Sequence, residues 1–141
     1  MTRHVFAAVL WSILPALAAC DSSPSAPSSD VPLSQEFTLK PGESATVQGT
    51  DLRVSFDKVV GDSRCPADVV CIQAGDVVVA LVASWKDGDA RFQLRTAAGG
   101  NVALAGAYEV RLVRVEPYPF ASRPIAAGDY RTVLEVTPGS A

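Results

Sequence analysis

The sequence predicts an all-β domain, a single antiparallel β-sandwich or small barrel of about 7–8 strands. Three observations predict it. From Gln35 onward the apolar residues alternate with period two, as they do on a pleated strand, rather than recurring every three to four residues. Turn-forming pairs such as Pro41-Gly42, Asp87-Gly88 and Gly99-Gly100 punctuate these runs. No strand–helix alternation of the kind that builds a parallel sheet is present.

The elements follow in order. Glu36 to Lys40 places Phe37 and Leu39 on one face, and Pro41-Gly42-Glu43 turns the chain back into Ser44 to Gln48. Asp51 to Val59 alternates, with Leu52, Val54 and Phe56 facing in and Arg53, Ser55 and Asp57 facing out. Asp76 to Trp85 is the most apolar run and carries apolar residues on both faces, so it is expected to be central and covered on both sides. Its valines favour a strand over a helix, where β-branched side chains crowd the preceding turn. Lys86 to Asp89 reads as a hairpin turn, in which Asp-Gly accommodates positive φ. Phe92 and Leu94 mark the partner strand, and Val102 to Leu104 is a weak one. In Ala107 to Glu116 the parity slips: Tyr108, Val110 and Leu112 share one face, and Val113 and Val115 the other. A β-bulge near Leu112-Val113 or a crossing between sheets explains the slip. Pro117 to Gly128 holds three prolines and no periodicity and is expected to be a long loop. Tyr130 to Val136 closes the domain.

Before the domain lie two segments of different character. Arg3 and His4, the apolar run from Val5 to Leu14, and the small residues Ala16 to Ala19 have the layout of a secretory signal peptide over residues 1–19. Ten such residues span only about 15 Å as a helix, half a bilayer core, so a lasting transmembrane segment is not expected. Residues 20–34 are rich in serine and proline. They are expected to form a disordered tether of up to about 45 Å that holds the β domain, residues 35–141, clear of lipid headgroups.

The Leu17-Ala18-Ala19-Cys20 ending resembles the lipobox of bacterial lipoproteins. The resemblance implies that Cys20 becomes the first mature residue, carrying a diacylglyceryl thioether and an N-terminal acyl chain such as palmitate. The protein would then be held on a membrane of the bacterial cell envelope with its β domain extracytoplasmic. Removal of residues 1–19 takes one of the 12 basic residues, none of the 15 acidic ones and the single histidine, which leaves a net charge of −4. An acidic chain without a basic run is not expected to bind nucleic acid.

With Cys20 acylated, two thiols remain in the mature chain. Cys65 and Cys71 are expected to form a short-loop disulfide in an oxidising compartment. A redox or metal pair is disfavoured, because the spacing is not Cys-x-x-Cys and no histidine is nearby. The stretch Asp62-Ser63-Arg64-Cys65-Pro66, then Cys71, then Ala74-Gly75, resembles a motif of small uncharacterised exported bacterial proteins, although Gln73 stands where that group has tryptophan. The resemblance brings no activity with it.

Without histidine the mature chain cannot assemble a Ser-His-Asp or Cys-His arrangement. Asp87 and Asp89 are the nearest carboxylate pair, but aspartate is expected in a turn regardless. Calcium there lacks the ligand-rich spacing of an EF-hand loop. No enzyme, cofactor or metal is expected. Two surfaces are candidates for a partner, an envelope protein or glycan. One is Pro117-Tyr118-Pro119-Phe120, whose rings either face outward or lie back on the core as a lid. The other is Arg64 beside the disulfide, free for a partner carboxylate or paired with Asp62 or Asp68. The expected function is a non-catalytic binding module, in a sharper form an inhibitor of an envelope hydrolase. The alternative is a structural accessory subunit of an envelope assembly.

Overall fold

A computed structural model describes residues 28–140. Nine strands form in chain order: β1 (Ser28–Val31), β2 (Glu36–Leu39), β3 (Ser44–Val47), β4 (Arg53–Asp62), β5 (Val77–Trp85), β6 (Gly88–Arg95), β7 (Val102–Ala105), β8 (Tyr108–Glu116) and β9 (Arg131–Pro138). They pack as a two-layer sandwich and do not close into a barrel. One sheet has the order β1-β3-β4-β5-β6 and the other β2-β9-β8-β7. All pairs are antiparallel except β1 with β3.

The alternation read from the sequence sets the core. Leu52, Val54 and Phe56 ahead of and along β4, Val77, Val79, Leu81 and Ala83 of β5, and Leu134 and Val136 of β9 are all fully buried between the sheets. A one-residue slip of register would turn each of these sets out to water.

Four expectations are corrected. Residues 28–34 are not tether. Val31 is buried, β1 pairs with the otherwise free edge of β3, and Ser34 N donates to Val136 O at 2.8 Å. A strand with one apolar residue shows no alternation, so packing and edge pairing, not pattern, determine it. Second, β5 is central but covered on one side only. Its outward residues Val78, Ala80 and Val82 are half-buried, because among the described residues no third layer lies over them and cross-strand neighbours such as Arg91 and Gln93 flank them. Third, the β5–β6 hairpin needs no positive φ. Lys86 and Asp87 form the loop, with Lys86 N donating to Asp51 Oδ2 at 2.8 Å, and Gly88 already belongs to β6. A Cβ at Gly88 would sit 3.3 Å from the Trp85 indole. Fourth, the strand count is nine, the added one being β1.

The parity slip in β8 is a bulge. Its register against β9 shifts between Leu112 and Arg114, so Val113 has no partner and turns outward while Val115 returns to the core. Leu112→Ala should therefore cost about 2–5 kcal/mol in urea unfolding. Val113→Ala should fall within about 0.5 kcal/mol of the parent. Equal losses at the two positions would place the bulge elsewhere.

Candidate functional site

The two loops singled out by the sequence, more than 50 residues apart at their contacts, meet at one end of the sandwich. Arg64 joins them. β4 ends at Asp62, and Arg64, two residues on, folds back over it. Asp62 Oδ1 accepts from the Arg64 backbone N at 3.2 Å and from Nε at 2.9 Å, and Oδ2 accepts from Nη2 at 2.6 Å. The other face of the guanidinium fork crosses to the second sheet. Nη1 donates to Val115 O at 2.7 Å and Nη2 to Pro117 O at 3.0 Å. The rigid planar fork of arginine suits this double duty, which a lysine ammonium cannot reproduce. Arg64 is 8% exposed and Asp62 11%. Arg64 is thus spent inside the protein and is not presented to a partner. Its guanidinium carbon also lies 5.4 Å from the centre of the Tyr118 ring.

A second set of bonds fixes the loops directly. Ala67 N donates to Pro119 O at 2.9 Å, while Asp68 accepts from Ala121 N at 2.6 Å and Ser122 N at 3.2 Å. The neck of the cysteine loop is closed by Ser63 and Asp76. Ser63 N donates to Asp76 O at 2.8 Å, and Asp76 N donates to Ser63 Oγ at 3.1 Å. A Cβ at Gly75 would lie 1.6 Å from Ser63 O, so this close approach of two backbones excludes any side chain there. Within the neck, Cys65 and Cys71 form the expected disulfide, with Cα atoms 5.9 Å apart. The Asp-Ser-Arg-Cys-Pro…Cys…Ala-Gly stretch therefore has a structural meaning: Asp62 and Arg64 clamp, Ser63 and Gly75 close the neck, and the cysteines staple the ring.

This scaffold presents an apolar rim. Val70 and Ile72 are fully exposed at the tip of the cysteine loop. Tyr118 and Phe120 are 55% and 42% exposed beside it, so they are not a core lid. Arg123 lies over the Phe120 ring at 5.5 Å. Two grooves flank Ile125 behind the rim. One of about 320 Å³ runs along Tyr118, Phe120, Arg123 and Arg131, and the other of about 540 Å³ along Pro41, Lys58, Val59 and Tyr130.

Electrostatics follow the bonding. Burial alone pushes the Asp62 carboxyl up, but the hydrogen bonds and charge of Arg64 and the Tyr130 hydroxyl outweigh it and hold the group below its ordinary value of 3.8. Burial and the Asp62 carboxylate push the Tyr130 phenol above its ordinary value. The backbone N–H of Ala121 in particular lowers the exposed Asp68 carboxyl.

Tyr118, Phe120 and the cysteine loop are thus brought together, whereas Asp87 and Asp89 lie on the β5–β6 hairpin at the opposite end. Among the described residues no three His, Cys, Asp or Glu side chains cluster to hold a metal ion. Cys20 lies outside the described residues. Val70 and Ile72 were not singled out from the sequence. The available signal was apolar residues inside a ring too small to have an interior. No family model, curated protein or solved structure matches this chain.

Arg64→Ala strands the Asp62 carboxylate and should cost about 3–5 kcal/mol in urea unfolding at neutral pH. The sign of the pH dependence follows from the depressed Asp62 value. Its contribution is fully present above the unfolded value of 3.8 and is lost as pH falls through the lower folded one. In Asp62→Asn this acid-side loss should shrink, and an unchanged acid limb would remove Asp62 from the account.

Proposed function

We propose that this chain is a lipid-anchored lipoprotein of the bacterial cell envelope whose β-sandwich is a non-catalytic binding module, with the rim as its contact surface. The observation that carries the binding role is the rim itself. Val70, Ile72, Tyr118 and Phe120 are exposed together on loops held by a disulfide, an arginine clamp and three backbone-to-loop bonds. Apolar and aromatic groups fixed before contact lose little entropy on binding, which favours recognition over solvation. The anchoring role rests on Leu17-Ala18-Ala19-Cys20 and on the polar stretch that follows. The mature chain has no histidine, and the Asp62–Arg64 pair at the rim is consumed in structure.

One observation favours a structural accessory subunit as a second reading. β7 is an edge strand with Val102 and Leu104 exposed, so it offers unpaired backbone groups with apolar side chains to an added strand. New amide protection confined to Val102–Ala105 on assembly would distinguish that role.

The anchoring is tested by growing expressing cells with labelled palmitate. The parent chain should be processed and labelled, and Cys20→Ser should carry no label. Label retained in Cys20→Ser, or absent from the parent, would contradict the lipoprotein assignment.

A further inference from the structure

From the direction and length of the chain that leads into β1, we infer that the rim's partner is the bilayer surface itself. This rests on the anchoring at Cys20 proposed above. The exposed tip of the cysteine loop, with Tyr118 and Phe120, would dip into the lipid interface of the membrane that holds the acyl chains.

Two facts about the entry of the chain support this. β1 begins at Ser28, eight residue steps from Cys20, so these two residues lie at most about 29 Å apart, rather than the about 45 Å open to a tether ending at Ser34. The domain is therefore confined close to the membrane. The direction is also set. Ser28 lies level with Ser44 and hence with Ser55, and β1 runs from there towards Val31 and Val47. β4 runs from Ser55 the opposite way, up to Asp62 and the cysteine loop. The chain thus enters β1 from the disulfide side. From the level of Ser55, opposite Val82, the sheet continues five residues along β5 to Val77, about 17 Å. A reach of at most about 29 Å covers that span and leaves about 12 Å for the loop beyond it.

The chemistry of this end suits a lipid interface. Val69, Val70, Ile72, Tyr118 and Phe120 are exposed there, whereas Val102, Leu104 and Val113 lie apart on the second sheet. Aliphatic groups at a loop tip flanked by aromatic rings match the apolar boundary and the headgroup level in turn. The acids closest to the tip are engaged internally: Asp62 with Arg64, Asp68 with the Ala121 and Ser122 amides, and Asp76 with Arg95 at 2.6 Å. Arg123 and Arg131 flank the rings on the groove side, where Asp129 also lies, and present cations at headgroup depth. The mature chain is acidic overall, so the contact is apolar insertion supported by the anchor rather than charge attraction.

The test uses the full mature chain, acylated at Cys20, in phosphatidylethanolamine–phosphatidylglycerol vesicles with brominated acyl chains. Of the two tryptophans in the sequence, Trp11 leaves with the leader, and Trp85 sits at the opposite end of the sandwich beside the hairpin. Ile72→Trp and Val70→Trp each add a reporter at a fully exposed position. The added emission should shift to the blue and be quenched by the brominated chains, while that of Trp85 in the unsubstituted protein is unaffected. Vesicles that float with the protein but leave the added tryptophan unquenched would overturn this inference and leave the anchoring intact. A blue shift seen only on adding envelope proteins would equally overturn it and assign the rim to a protein. Failure of the acylated parent to float would overturn the anchoring and the inference together.

Discussion

The Arg64 guanidinium is the constraint on which the functional end of this protein depends. A β-sandwich packs two sheets through apolar side chains, which fix distance but not the course of the loops beyond the strands. Here one planar cation donates to the Asp62 carboxylate at the end of the first sheet and to the carbonyls of Val115 and Pro117 at the end of the second. Each bond is charge-assisted, and those to Asp62 and Val115 are partly withdrawn from water, where such bonds are stronger and losing a partner is more costly. The cysteine loop and the proline-rich loop then add their own links through Ala67 and Asp68.

The bulge in β8 prepares this arrangement. The extra residue, Val113, turns outward, and the strand resumes with Val115 packed in the core. The Val115 carbonyl, three residues beyond Leu112, is the one that Arg64 reaches. Local twist at the bulge thus redirects the strand end where the two sheets must be joined. The opposite end is closed by the two-residue hairpin and its Asp51 bond.

Most of the sandwich was legible because water faces one side of most strands and writes period-two alternation into them. Leu52, Val54 and Phe56 are the plain case. The bulge was legible as a break in that period. Three features were not. β1 has a single apolar residue, Val31, and gains its place by pairing with β3, a tertiary effect with no local signature. The second face of β5 read as buried because valine and alanine occupy it, yet among the described residues no third layer covers it. The union of the two loops was hidden for a different reason. Arg64 and Tyr118 were both visible as candidates, but sequence separation conceals a contact made only when both sheets are assembled. The exposure of Val70 and Ile72 follows from that assembly too, since their ring has no core of its own.

The central claim about the molecule is that Arg64 makes the two loops one unit. Amide hydrogen exchange in the parent and in Arg64→Lys measures this directly. Ala67, Ala121 and Ser122 should lose protection together in the variant, because the clamp that registers both loops is weakened, while the amides of β5 keep theirs. Loss confined to Arg64's own loop, with Ala121 and Ser122 unchanged, would show two independent loops and contradict it.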